Sequence, residues 1–224
     1  MRWWKILSIV LLVYTFTAGF LITVPDIGNL QHTIRNAFFH IPMWLTQFVM
    51  ATVSVVYSIK YLRKPTIKND IYAFEYASSG IIFGFLGLFT GMFWANFTWG
   101  ASWSNDPKQL GVAISLLIYL AYFVLRNSMT DLDKRARVSA VYNIFAYFIY
   151  IPMIMVLPRM VESLHPGGKG VDGNPGLNGD DMNFAMKMVI RPAYIGWILL
   201  GVWITTLKLR VHLLAEKKLN NNFV

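Results

Sequence analysis

Long apolar stretches alternate with short polar ones along this chain, and the pattern predicts six helices that cross a membrane. A helix needs roughly 20 apolar residues to span a hydrocarbon core. The predicted spans are Trp3–Val24, Ile41–Tyr61, Ile71–Phe93, Leu110–Leu125, Val138–Leu157 and Met186–Leu207. We therefore expect one all-α transmembrane domain over residues 1–224, in which Pro152 and Pro158 kink or end the fifth helix.

The composition favours a membrane protein over a soluble enzyme or a disordered chain. Hydrophobic residues make up 56% of the 224 residues and charged residues 14%, whereas a soluble domain is about 25% charged. The net charge of +9 would indicate nucleic acid in a soluble protein. In a membrane protein it reflects topology, so we expect membrane lipid and not nucleic acid as a partner. Because the chain has no cysteine, any cofactor is held noncovalently.

The distribution of basic residues predicts the orientation of the six spans. Fourteen Lys and Arg residues lie at the N-terminus, in the second and fourth connections and at the C-terminus, against five in the other connections. Cytoplasmic connections collect Lys and Arg, so both termini are predicted to be cytoplasmic. The first, third and fifth connections then face outward. In the third span, Gly80, Gly84, Gly87 and Gly91 share one helix face, which favours close helix packing.

The third connection, predicted as an outward-facing loop over residues 94–109, is rich in tryptophan. Its aromatic and charged residues include Trp94, Trp99, Trp103, Asp106 and Lys108. One interpretation is an interfacial aromatic belt, since Trp favours the level of the headgroups. The other is a flat aromatic surface edged by a cation, which suits a large planar ligand with acidic groups. We expect the Trp residues to sit in a loop and not at helix ends, and Gly100 and Pro107 have the turn chemistry of a loop; both points favour the second interpretation.

Two of the four histidines lie at the same predicted membrane face as this segment. His40 is at the outer end of the second span, and His165 follows the outer end of the fifth. Two neutral imidazoles on opposite sides of a plane can ligate haem iron, whereas an interfacial or capping role would explain either residue alone. His32 lies in the first connection, and His212 is predicted to be solvated in the C-terminal tail.

The outer face carries two further features, a cation inside the sixth span and a Gly-rich connection. Arg191 lies about a turn inside the sixth span, where a charge is costly; it either snorkels to the headgroups or pairs with an acidic group of a ligand. The fifth connection, residues 158–185, is a Gly-rich, outward-facing loop. Its Gly168-Lys169-Gly170 lacks the Ser or Thr of a phosphate-binding loop, and its Asp and Asn spacing does not fit an EF-hand.

Three segments of the sequence resemble a known family, the haem-handling proteins of cytochrome c biogenesis with a tryptophan-rich "WWD" signature. The matching segments are His40-Ile41-Pro42-x-Trp44, Trp99-Gly100-x-x-Trp103-x-x-Asp106-x-Lys108 and Leu164-His165. Six helices in about 225 residues are similar to the short members, the haem exporter protein C group, and the resemblance covers spans two to six. Asn105 stands where the family has its third Trp, and Ser102 where some members have another.

The resemblance implies a haem-binding protein and not an enzyme. Haem b, bound noncovalently and in transit, would lie against the Trp-rich segment, with His40 and His165 as axial ligands of the iron. Lys108 or Arg191 would meet the propionates. A membrane-anchored periplasmic haem chaperone would then take the haem, and ATP-binding cassette (ABC) transporter partner subunits would release the loaded chaperone. The implied location is the bacterial inner membrane.

Two other classes of membrane protein remain as alternatives. A b-type cytochrome that carries electrons usually holds haem between histidines buried within helices, whereas no histidine lies inside a predicted span. A passive transporter or channel subunit needs polar or ionisable residues near the midplane. The predicted spans offer few such residues, namely Glu75, Asn143 and Arg191.

Overall fold

A computed structural model describes residues 2–25, 30–165 and 182–221 of the chain. Six helices within these ranges are long and apolar enough to cross a membrane, which confirms the predicted all-α six-span bundle. They are α1 (Trp3–Leu21), α2 (Ala37–Arg63), α3 (Ile67–Trp99), α4 (Pro107–Asn127), α5 (Leu132–Ile151) and α7 (Phe184–Asn221). A 3₁₀ helix precedes α2, and a π-helical turn links α5 to the short α6 (Leu157–Met160).

Most of these helices extend beyond the predicted spans, and polar capping residues set the starts of three of them. Thr66 caps α3 by accepting a hydrogen bond from the Asn69 backbone N–H, and Asp106 and Asp131 cap α4 and α5 in the same way. The fifth span departs from regular helix where Pro152 opens the π-helical turn, as its prolines predicted.

Helix α2 lies at the centre of the bundle and contacts α3, α5 and α7. The glycine face of α3 receives α2 chiefly through side chains: a Cβ atom on Gly84 would lie 2.7 Å from the Gln47 side chain, and one on Gly87 would lie 2.7 Å from the Trp44 ring. Helix α1 packs on α7, and α4 packs on α5 and α3. The glycines therefore fix α2 tightly against α3 over most of their length.

The polar residues inside the bundle join helices to one another. Asn143 of α5 donates hydrogen bonds to the hydroxyls of Ser54 and Ser58 on α2, at 2.7 and 2.8 Å. Ser54 in turn donates to the Ala73 carbonyl of α3 at 2.6 Å. Hydrogen bonds of this kind hold membrane helices together, so Asn143 has a packing role in the described structure.

The bundle has two ends with different chemistry. At the end where α1 begins and α7 finishes, here called the terminal end, the Arg126 guanidinium binds both carboxylate oxygens of Asp70, at 2.7 and 2.5 Å. Glu75 contacts His212 Nδ1 at 2.8 Å and Lys208 Nζ at 3.2 Å. The prediction of a solvated His212 was therefore wrong, because α7 extends far enough to bring this residue against α3.

Candidate functional site

The opposite end of the bundle, here called the site end, holds His40 in the first turn of α2. Its Nδ1 lies 3.2 Å from the Thr90 hydroxyl of α3. That hydroxyl donates its own proton to the Leu86 carbonyl at 2.8 Å, so it accepts from His40 Nδ1–H. The hydrogen-bond network therefore assigns the tautomer of His40, and the Nε2 lone pair faces no protein donor among the described contacts.

The His40 ring occupies space that the glycine face of α3 provides. A Cβ atom on Gly91 would lie 2.6 Å from the ring carbon Cε1, closer than real contacts allow. The Trp44 and Trp94 rings meet the imidazole edge-on, with centroids 6.1 and 5.9 Å away. Trp94 is itself fixed by a hydrogen bond from Nε1 to the Thr33 hydroxyl at 3.2 Å. The position of His40 is thus set from three sides.

His165 follows α6 and is held by Asp106, the residue that caps α4. Its Nδ1 lies 2.8 Å from Asp106 Oδ1. The same carboxylate accepts hydrogen bonds from the Ser163 hydroxyl at 2.8 Å, the Leu164 backbone N–H at 2.7 Å and the Lys108 backbone N–H at 2.9 Å. One side chain therefore ties the segment after α6 to the start of α4.

The protonation of Asp106 follows from these contacts. Its side chain is buried, which opposes ionisation, but hydrogen bonds from His165, Leu164 and Ser163 outweigh burial and hold the pKa of the carboxyl well below its ordinary value. An ionised carboxylate only accepts, so His165 Nδ1–H is the donor. In its neutral form His165, like His40, therefore carries its lone pair on Nε2.

The tryptophans divide between the two histidines. Trp94 contacts His40, whereas the Trp99 ring meets His165 edge-on with centroids 4.7 Å apart. Trp103 is 37% exposed and donates from Nε1 to the Asn105 side chain at 2.7 Å. Asn105, the residue in place of a family Trp, adopts a left-handed backbone with φ of 55°, a conformation that Asn tolerates better than most residues.

The predicted Trp-rich loop over 94–109 is shorter in the structure. Helix α3 continues to Trp99, and α4 begins at Pro107, so only residues 100–106 form a loop. Gly100 ends α3 in a left-handed conformation with φ of 78°, and Asp106 with Pro107 starts α4. Gly100 and Pro107 therefore do bound a loop, but the prediction that the Trp residues sit in a loop and not at a helix end was wrong for Trp94 and Trp99, which extend α3. Of the predicted loop over 158–185, residues 166–181 lie outside the described part.

The two predicted cations have different surroundings. Lys108 is half-buried in the first turn of α4. Lys108 and His165 both lie close enough to His40 for a positive charge on either to interact electrostatically with it. The three groups therefore share one electrostatic environment. Arg191 is exposed on α7, on the same face as Met188 and Ile195, and makes no hydrogen bond or ion pair that is seen within the described residues. The structure thus groups Lys108, but not Arg191, with the histidines.

Sequence reasoning missed three residues of this arrangement. Thr90 and Gly91 position His40, and Ser163 supports Asp106. The glycine spacing did indicate the helix face that receives α2, but it did not show which side chain fills it. Thr90 and Ser163 carry no sequence signal, because hydroxyl residues are common in membrane helices and at helix ends.

A comparison with known families identifies the chain. A sequence profile described as Heme exporter protein C matches residues 1–223. The chain belongs to the Heme exporter protein C family. The match includes α1, which the motif resemblance did not cover.

Individual relatives are similar to different extents. Heme exporter protein C of Bradyrhizobium diazoefficiens is 31% identical over 142 residues, which are 63% of this chain and 53% of that protein. Cytochrome c biogenesis protein CcsA of Pelargonium hortorum is 30% identical over 54% of this chain and 38% of its own. Heme exporter protein C of Escherichia coli K12 is 24% identical over 96% of this chain and 85% of its own. The chain thus spans about half or less of the first two relatives and most of the third.

Proposed function

We propose that this protein binds haem b noncovalently at the site end and passes it to a haem chaperone during cytochrome c biogenesis. One observation carries the proposal. His40 and His165 lie at one end of the bundle, and each uses Nδ1 for a protein hydrogen bond, which leaves Nε2 of the neutral ring to bind a metal. Two neutral imidazoles in this state are the ligands that low-spin haem iron takes on its two axial sides. Membership of the Heme exporter protein C family supports the same cargo.

The surrounding side chains suit a porphyrin. Trp94 and Trp99 flank the two imidazoles and offer apolar ring surface, while the half-exposed Trp103 forms the rim of the site. Asp106 does not touch the iron; it holds His165 in the binding tautomer. Lys108 supplies a cation for a propionate, and the exposed Arg191 is the weaker candidate for this role.

The proposed orientation places the site outside the cytoplasm. Both termini are cytoplasmic, because Lys and Arg concentrate at the terminal end. The site end then faces the periplasm from the bacterial inner membrane. A reporter that works only in the cytoplasm should be active when it is fused after Val224. A reporter that works only in the periplasm should be active when it is inserted within residues 166–181. The reverse pattern would contradict the orientation.

The proposed partners follow from what this chain lacks and what its family name implies. Its sequence carries no nucleotide-binding motif, so ATP hydrolysis is assigned to ABC-transporter partner subunits. A membrane-anchored periplasmic chaperone takes the haem from the site end. The protein itself binds and transfers haem and is not proposed as an enzyme.

An absorption spectrum of the purified protein tests the proposal. We expect the low-spin spectrum of haem with two histidine ligands. His40→Ala and His165→Ala should each shift or abolish this spectrum. His32→Ala and His212→Ala are the matched controls, because His32 is exposed near the site end and His212 lies at the terminal end. If all four variants behave alike, or if His40→Ala and His165→Ala leave the spectrum unchanged, the assignment is wrong.

One observation favours a second candidate, an electron-carrying b-type cytochrome. His40 lies within α2 and not before it, so the argument that no histidine is inside a span does not hold for this residue. His165, in contrast, lies outside the helices. Rapid reduction of the bound haem by quinol would support the cytochrome, whereas transfer of haem to an added chaperone without turnover of quinol would support haem delivery.

A further inference from the structure

The two histidines of the site have unequal hydrogen-bond partners. His165 Nδ1–H donates to the Asp106 carboxylate at 2.8 Å, whereas His40 Nδ1–H donates to the neutral Thr90 hydroxyl at 3.2 Å. A carboxylate partner increases the basicity of a ligating imidazole and orients the ring, and a charge-assisted hydrogen bond is stronger than a neutral one. The two Nε2 atoms therefore differ as donors to a metal.

The partner of each histidine is also supported to a different degree. Asp106 is 4% exposed and is held by the Ser163 hydroxyl and by two backbone N–H groups, so it cannot leave His165 without losing several contacts. Within the described part of the chain, the Thr90 hydroxyl makes its other hydrogen bonds to carbonyls of its own helix. Rotation of the Thr90 side chain would leave His40 with the neutral Gly87 backbone, of the same helix, as its remaining hydrogen-bond partner among the described residues.

From this asymmetry we infer that His165 is the anchored iron ligand and that His40 is the exchangeable one, which dissociates first when haem leaves the protein. The inference rests on the proposed function. Dissociation breaks the bond from His40 Nε2 to iron; the electron pair stays on nitrogen, and the iron keeps its charge. The vacated position on the His40 side is then open to an incoming ligand, while His165 keeps the haem in place.

Carbon monoxide is a suitable probe, because it binds ferrous haem only at a position that a histidine has left. We expect CO to replace His40 in the dithionite-reduced, haem-loaded protein. Photodissociation of CO then leaves five-coordinate iron on the retained histidine, whose iron–histidine stretch can be measured by resonance Raman spectroscopy. Asp106→Asn should lower this frequency, because it weakens the donor bound to the iron. Thr90→Ala should leave the frequency unchanged.

The rate of CO binding provides an independent arm. Thr90→Ala removes the hydrogen bond between His40 Nδ1 and the Thr90 hydroxyl and leaves the Gly87 backbone as a neutral partner. CO should therefore bind about two- to tenfold faster, as expected for loss of one neutral hydrogen bond. Thr98→Ala is the matched control and should leave the rate unchanged. It removes a hydroxyl of the same helix whose hydrogen bond, among the described residues, is to the Trp94 carbonyl.

The outcomes separate this inference from the proposed function. A frequency that shifts in Thr90→Ala and not in Asp106→Asn would make His40 the anchored ligand and overturn the inference. Failure of CO to bind, or equal shifts in both variants, would overturn it as well. A wild-type protein without a low-spin bis-histidine spectrum would instead refute the proposed function. If Asp106→Asn does not fold, Thr90→Ala alone tests the inference: it should raise the rate of CO binding and leave the iron–histidine stretching frequency unchanged.

Discussion

The two ends of the bundle carry the same pair of groups in different surroundings. At the terminal end His212 Nδ1 lies 2.8 Å from Glu75, and at the site end His165 Nδ1 lies 2.8 Å from Asp106. Glu75 also pairs with Lys208, and a phenylalanine and not a tryptophan lies edge-on to His212. A carboxylate–histidine pair is therefore not by itself the mark of a haem site. The site end differs because a second imidazole and several indole rings share it.

The terminal end should respond to mutation mainly through stability. Asp70→Ala leaves the Arg126 guanidinium, which is 4% exposed, without its partner. Removing one member of a buried ion pair costs about 3–5 kcal/mol, so the free energy of unfolding in an SDS titration should fall by that order. The haem spectrum of the folded fraction should remain low-spin.

A double variant provides the control for this prediction. Asp70→Asn combined with Arg126→Met removes both charges, and it should recover most of the lost stability. If Asp70→Ala instead abolishes the low-spin spectrum in protein that is still folded, then the two ends are coupled and their proposed separation is wrong.

The site end should respond mainly through ligation, and Gly91 is its most sensitive position outside the ligands. In Gly91→Ala the new methyl group overlaps the His40 ring, and such overpacking costs about 1–3 kcal/mol. We expect loss of most low-spin absorption and a marked loss of haem affinity in a titration. Gly80→Ala is the matched control: its Cβ would lie 3.2 Å from Met50 Cβ, far from the histidines. Equal loss in both variants would indicate a general packing defect.

A smaller effect should distinguish the tryptophans. Trp99→Ala removes the ring that lies 4.7 Å from the His165 imidazole, and an aromatic pair contributes about 0.5–1.5 kcal/mol. Haem affinity should therefore fall by up to about tenfold. Trp103→Ala removes a more exposed ring whose hydrogen bond is to Asn105, and its effect should be smaller. A larger loss of haem affinity in Trp103→Ala than in Trp99→Ala would instead indicate that haem lies on the loop and not beside the end of α3.

The fold could be predicted from the sequence to a greater extent than the site. Apolar runs are dictated by the thickness of the membrane, so all six spans were found. Most of the helices extend beyond the predicted bounds, whereas α1 ends before its predicted bound. Site residues depend on which side chains meet across helices. Gly91 was recognised as part of a packing face, but its contact with His40 requires the register of α2 against α3, which periodicity does not give. His212 was placed in solvent for the same reason, since the length of α7 was underestimated.

The two candidate cations provide the finest test of the comparison. Lys108 shares an electrostatic environment with His40 and His165, whereas Arg191 points outward beside Met188 and Ile195. A partly exposed ion pair with a propionate contributes about 0.2–1 kcal/mol, so Lys108→Ala should weaken haem binding by up to about fivefold, and less at high salt. Arg191→Ala should leave affinity unchanged at every salt concentration. A salt-dependent loss in Arg191→Ala, without one in Lys108→Ala, would mean that the bound haem extends towards α7 and that the site is wider than the contacts between its histidines and tryptophans indicate.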